Sequence, residues 1–237
     1  MYLDLVFFEN LADLELFSKK FRQEFIVCRN FKNDFELKQL KEKIKGKNLK
    51  VCHLLLNANM QELQKFRQKV DFIAVFGKNL QRNKFAVSSE KVDFLLMPAG
   101  NARKPEFDAG LARIAAENKV VIGILFNEFL NSNPEDLKDL LRNYLLVARL
   151  CKKYKAQLAV FSGAKNAFDL RQVKDFASFL CFLGLKRETA LKQVRGLSEF
   201  LEKKGKLEGF EILSNSCKNL TTVKKPKFFD ILEMVKS

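Results

Sequence analysis

Short runs of apolar, β-branched and aromatic residues recur along the whole chain, and patterns of helical period lie between them. Eight runs qualify as strands: Tyr2–Phe7, Phe25–Cys28, Val51–Leu56, Phe72–Phe76, Phe94–Met97, Val120–Leu125, Leu158–Phe161 and Phe210–Leu213. Val120-Val121-Ile122-Gly123-Ile124-Leu125 is apolar throughout and does not alternate, as a strand buried on both faces of a parallel sheet requires. Alternation of such strands with helices dictates an α/β fold. A closed barrel and a doubly wound open sheet both satisfy the pattern. Eight strands within 237 residues favour a TIM-barrel-like (β/α)8-type barrel with mainly parallel strands. One wall is expected to be irregular, because Phe76–Val92 holds only a short helix and Pro98–Lys104 reads as loop.

The intervening helices are amphipathic. The clearest follows Asn133, an N-cap residue type, with Pro134 at the first helical position and Glu135 and Asp136 at the positive end of the dipole. Its apolar stripe comprises Leu137, Leu140, Leu141, Tyr144, Leu145, Ala148 and Cys151. A second helix is expected to open at Asp169, run through Val173, Phe176 and Leu180, and stop at Gly184. Leu185 to Lys203 carries one or two more. No Gly/Ser-rich linker or repeat divides the chain, so residues 1–214 read as one barrel domain and 215–237 as a basic C-terminal tail.

Composition narrows the partners. Lys and Arg number 43 against 28 Asp and Glu, a net charge of +15. An excess of that size creates a long-range positive field and favours a polyanionic partner, although basic surface helices throughout a lysine-rich protein would give the same total. The most basic stretches are Lys41–Lys50, Arg149–Lys155, Lys186–Arg195 and Lys203–Lys206. No apolar run is long enough to span a bilayer, and the first residues lack the basic flank of a signal peptide, so no membrane association and a cytoplasmic location are expected. The five scattered cysteines fit buried thiols in a reducing compartment.

Catalytic chemistry is scarce. Barrel enzymes place reactive groups just after the C-terminal ends of the strands, where this chain offers Glu9, Asn30, Asn57, Lys78, Asn127, Glu128 and Lys165. His53 is the single histidine and lies within a strand, so neither a multi-histidine metal centre nor a Ser-His-Asp triad can be assembled around it. No nucleotide-binding glycine motif and no nucleophile elbow occur. The most distinctive segment is Ser162-Gly163-Ala164-Lys165, continuing to Asp169-Leu170-Arg171. It follows the seventh strand and opens a helix, where barrels hold phosphates through backbone N–H groups and a helix N-terminus. Ser162 and Gly163 would bring the backbone close to a ligand, while Lys165, Arg171 and the following Lys174 would supply charge. An ordinary turn, with Gly163 chosen for its backbone angles and Asp169 as N-cap, fits the same residues.

That segment resembles the signature of the 30-kilodalton-class barrel subunit family of ribonuclease P. Tyr2-Leu3-Asp4-Leu5 is similar to the family's first strand. Asn79–Lys84 with Lys91-Val92-Asp93-Phe94 and Met97-Pro98, Phe107–Asn118, and Gly209-Phe210-Glu211-Ile212 resemble later segments in the right order. The chain departs from the family at Met97, where histidine is frequent, and at Gly123 or Leu125, where a glutamate is found in the sixth strand. The resemblance implies a noncatalytic protein subunit that supports a catalytic RNA in removing the 5′ leader from precursor tRNA. It also implies pairing with a second protein subunit (component 2), Mg²⁺ needed by the RNA and no cofactor on this chain. Phosphate contacts are then expected at Ser162, Gly163, Lys165, Arg171, Lys174 and Arg82. The other reading of the same loop is a small-molecule barrel enzyme holding a phosphorylated substrate at Gly163–Lys165.

Overall fold

The computed structural model describes residues 2–8, 11, 14–15, 17–18, 23–100 and 105–218, with side chains described as far as 204. Two compact units result, Met1–Ser198 and Glu199–Ser237. The first contains seven parallel strands: β1 (Tyr2–Val6), β2 (Gln23–Arg29), β3 (Leu49–Leu55), β4 (Phe72–Phe76), β5 (Phe94–Leu96), β6 (Val121–Leu125) and β7 (Leu158–Phe161). They pair in sequence order and form a nearly closed barrel surrounded by helices. Every residue of β1, β5, β6 and β7 is buried, which explains why these runs carry no polar alternation.

The expected eighth strand is not formed. Phe210–Leu213 lies within the helix Arg187–Lys218. Leu207, Phe210, Leu213 and Cys217 recur at spacings of three and four, a helical period that the short run Phe210–Leu213 conceals when taken alone. In the second unit this helix carries an ion pair one turn apart, Lys203 Nζ to Glu199 Oε1 at 2.7 Å. Most of the expected basic tail, residues 219–237, lies outside the described residues, as does Glu9.

Around the barrel run α1 (Asp34–Ile44), α2 (Met60–Arg67), α3 (Leu80–Ser88), α4 (Ala109–Glu117), α5 (Phe126–Leu130), α6 (Pro134–Tyr154) and α7 (Val173–Phe182); the last helix, α8 (Arg187–Lys218), begins in the first unit and continues into the second. Because α1, α2 and α3 each follow a strand, their N-termini gather at the C-terminal face of the barrel, and asparagines satisfy them. Asn33, Asn59 and Asn79 accept from the backbone N–H groups of Glu36, Gln61 and Glu62, and Arg82. At the opposite face aspartates do comparable work between strands. Asp71 accepts from the Val51 N–H at 2.7 Å, and Asp93 accepts from the Ile73 N–H at 2.8 Å and from Arg67 at 2.7 Å.

The wall expected to be irregular is held by one buried side chain. The Asn83 amide donates to Pro98 O at 2.8 Å and Glu106 O at 2.6 Å, tying α3 to the segment that follows β5. Gly77 fits beneath it. A Cβ there would stand 2.6 Å from Asn83 Oδ1 and 2.8 Å from the Pro98 Cα.

The barrel edges meet where β1 approaches the end of β7. Gly163 N–H donates to Leu5 O at 3.1 Å, and Phe7 N–H donates to Ala164 O at 2.7 Å. One residue before the first of these bonds lies the fully buried Asp4. Its Oδ1 accepts from the Ser162 N–H and its Oδ2 from the Ser162 hydroxyl, both at 2.7 Å. Burial raises the Asp4 carboxyl from 3.8 to about 7, against the lowering effect of the Ser162 bonds.

Two predictions follow from this packing. Gly77→Ala should lower unfolding stability by about 1–3 kcal/mol, the usual cost of overpacking against a fixed backbone, measured by chemical denaturation. Asp4 titrates higher in the folded chain than in the unfolded one, so the native state holds more protons between those two values. Its contribution to stability should be fully present below about pH 4 and lost as pH rises to about 7, by at most roughly 4 kcal/mol. Denaturation of Asp4→Asn across that range should lack this component; an unchanged pH profile would assign the slope to other groups.

Candidate functional site: the loop after the seventh strand

The Ser162–Arg171 segment leaves β7 beside the point where the barrel edges meet, and its conformation is fixed from both ends. Gly163 has φ +61°, and a Cβ would lie 3.2 Å from the Leu125 Cβ, so both angle and space favour glycine. Asn127 N–H donates to Ser162 O at 2.9 Å, joining α5 to the same turn. The outer part is a single 3₁₀ turn, Ala167–Asp169, capped by Asn166, whose side chain accepts from the Phe168 N–H. Asp169 does not cap the next helix. Its Oδ2 accepts from Lys165 N–H at 3.1 Å and from the Asn166 amide at 2.9 Å. α7 therefore opens later than expected, at Val173, with a reciprocal Gln172/Asp175 capping box.

This geometry settles what the loop's donors do. The N–H groups of Ser162, Gly163, Ala164 and Lys165 go to Asp4 Oδ1, Leu5 O, Ser162 Oγ and Asp169 Oδ2 respectively. Each backbone N–H at 162–165 thus has a partner within the chain. Ser162 is buried and serves the Asp4 junction. Above the loop lies a cavity of about 730 Å³, bordered by Leu125, Asn127, Glu128, Asp136, Gly163, Lys165 and Asp169. Three carboxylates against one ammonium group make this mouth a poor seat for a free phosphorylated substrate.

The remaining expected residues are dispersed over the C-terminal face. Lys165 and Lys174 are exposed, and no ion pair among the described residues takes up either ammonium group. Arg171 is half-buried; its Nη1 donates to Phe168 O and Leu170 O, both at 2.8 Å, and its guanidinium stands 5.9 Å from the centre of the Phe126 ring. Arg171 thus braces the loop. Arg82 lies in the first turn of α3, 3.4 Å from Asn57 Oδ1. The site joins Ser162, Gly163, Lys165 and Arg171 in one segment, with Lys174 in the helix that follows and Arg82 on a separate helix.

His53 is a core residue. Its Nδ1 accepts from the Phe31 N–H at 3.3 Å, its Nε2 lies 3.0 Å from Glu62 Oε1, and its ring stacks on Phe66 at 4.0 Å. Burial holds its pKa below the usual histidine value despite Glu62. Met97 takes a left-handed φ of 49°, and its sulfur accepts from the Leu125 N–H at 3.2 Å and lies 3.5 Å from the Tyr144 hydroxyl. Among the described residues no group of three His, Cys, Asp or Glu side chains could hold a metal ion. No helix among them is long and apolar enough to cross a membrane.

Sequence reasoning missed Asp4, whose only signal was a carboxylate inside an apolar strand, and Phe168, which is 91% exposed at the tip of the 3₁₀ turn.

Comparison with known proteins places this architecture. The model of the RNase P subunit p30 family matches residues 55–207. Ribonuclease P protein component 3 of Methanosarcina barkeri is 31% identical over 155 residues, which is 63% of this chain and 64% of that protein. The Thermococcus kodakarensis protein of the same name is 30% identical over 151 residues, 63% of this chain and 68% of its own length. The match to the Methanosarcina barkeri protein thus spans just under two thirds of that relative. A chain in a cryo-EM structure of archaeal ribonuclease P with mature tRNA superposes with a TM-score of 0.73, covering 86% of this chain and 92% of that one at 22% identity. That likeness is one of fold. With the family match reaching from β3 through the loop after β7 into α8, this chain belongs to the RNase P subunit p30 family.

Proposed function

We propose that this chain is a protein subunit of ribonuclease P that supports a catalytic RNA in removing the 5′ leader from precursor tRNA, contributing RNA contacts and no bond-breaking side chain. Membership of the p30 family carries this reading, and the matched residues include the loop that presents Lys165 and the helix that presents Lys174. The net charge of +15 supports a polyanionic partner. The single histidine, His53, is committed to the core in this reading. Mg²⁺ in this reading serves the RNA.

Side chains, not the backbone, make the phosphate contacts. Lys165 and Lys174 reach outward from a turn held by Asp4, Ser162, Asp169 and Arg171, and Arg82 adds charge from α3. The protein partner is a second ribonuclease P subunit, component 2, and the assembly works in the cytoplasm. Precursor tRNA meets the chain only through that assembly.

Affinity for ribonuclease P RNA should fall steeply with salt, and Lys165→Ala and Lys174→Ala should each reduce the slope of log affinity against log salt by about one. Filter binding across a salt series measures this. A flat salt response for the wild-type chain would contradict the reading.

A further inference from the structure

Phe168 is the most exposed large apolar side chain among the described residues, 91% accessible against 67% for Phe35 and 60% for Phe182. Single apolar residues at a surface are ordinarily unremarkable. This one stands on a turn whose neighbours fix its place. Its N–H donates to Asn166 Oδ1 at 2.9 Å, and its carbonyl accepts from Arg171 at 2.8 Å. The backbone on both sides of the ring is therefore fixed while the ring itself stays in solvent.

Cations stand close to the ring in sequence and in the turn. Lys165 precedes it by three residues and is exposed; Arg171 is bonded to its own carbonyl; Lys174 follows in the first turn of α7. The acids of the segment are turned to internal donors: Asp169 accepts from Lys165 N–H and the Asn166 amide, and Asp175 from Gln172 N–H. A flat aromatic face beside cations is what an unpaired nucleobase with flanking phosphates requires, since every base offers a π-face and its phosphates need positive charge. An apolar protein surface would bring nothing to match the lysines.

We infer that Phe168 is a stacking platform for an unpaired base of the RNA, with Lys165 and Lys174 holding the phosphates on either side. This rests on the RNA-binding reading above and adds that the contact is to a single-stranded segment. It also separates two kinds of contact within one loop: the lysines respond to salt, whereas stacking does not release counterions.

The test uses the full chain, ribonuclease P RNA from the same genome, and the variants Phe168→Ala, Phe168→Trp and Lys165→Ala. Phe168→Ala should bind this RNA about tenfold more weakly with the salt slope unchanged, and Phe168→Trp should restore affinity. Because the ring makes no buried contact, melting of Phe168→Ala should match the wild type. Unchanged RNA affinity in Phe168→Ala would overturn the inference, as would normal RNA affinity combined with loss of binding to the second protein subunit. A weakening accompanied by the same reduced slope as Lys165→Ala would also overturn it, since that would mean a disturbed loop. These results leave RNA binding by the wild type intact; a wild-type chain that fails to bind the RNA would instead refute the underlying reading.

Discussion

The pairing of Asp4 with Ser162 governs how the rest of this molecule is arranged. Asp4 lies in the first strand and Ser162 just beyond the seventh, and two bonds of 2.7 Å hold them in a fully buried position. A buried carboxyl is costly unless it is hydrogen-bonded or neutral. Both the donors from Ser162 and the raised pKa of Asp4 meet that requirement. The same contact fixes the first residue of the Ser162–Arg171 segment, so barrel closure and the posture of the loop are one event. Gly163 and Ala164 extend the contact by exchanging backbone hydrogen bonds with Leu5 and Phe7.

This economy determines which atoms are left to meet a partner. The N–H groups of 162–165 each have a partner within the chain, and the nearby cavity mouth is bordered by Glu128, Asp136 and Asp169. What faces outward is a set of long cationic side chains and one aromatic ring. Under the proposed function these groups meet the phosphates and bases of an RNA. The proposed RNA-binding role rests on the family relationship and on these exposed lysines together.

Much of the barrel was legible before any coordinates. β4 and β7 have the boundaries that their apolar runs define, and the helix opened by Asn133-Pro134 is present with Pro134 at its first position. These elements are specified locally, by a proline at the helix start and by uninterrupted apolarity. Phe210–Leu213 was misread because a segment of four residues, three of them apolar, has no period of its own, and the helical spacing shows only when Leu207 and Cys217 are included. The Ser162–Arg171 block stood out by composition, yet its internal wiring did not. Ser162 depends on a residue 158 positions away, and Asp169 turns back to Lys165 where it was expected to cap a helix. Long-range pairings of that kind leave no local pattern. Phe168 escaped notice for the opposite reason: among 24 phenylalanines, sequence alone does not mark the one that the fold leaves in solvent.

The central claim is that this chain aids an RNA-catalysed reaction without performing it. Reconstituted ribonuclease P assayed for precursor-tRNA cleavage at limiting Mg²⁺, with this chain present, omitted or supplied alone, tests that most directly. The account predicts that omission slows leader removal, that adding the chain back restores it, and that the chain without RNA cleaves nothing. Cleavage by the purified chain alone, or a rate indifferent to its omission, would contradict it.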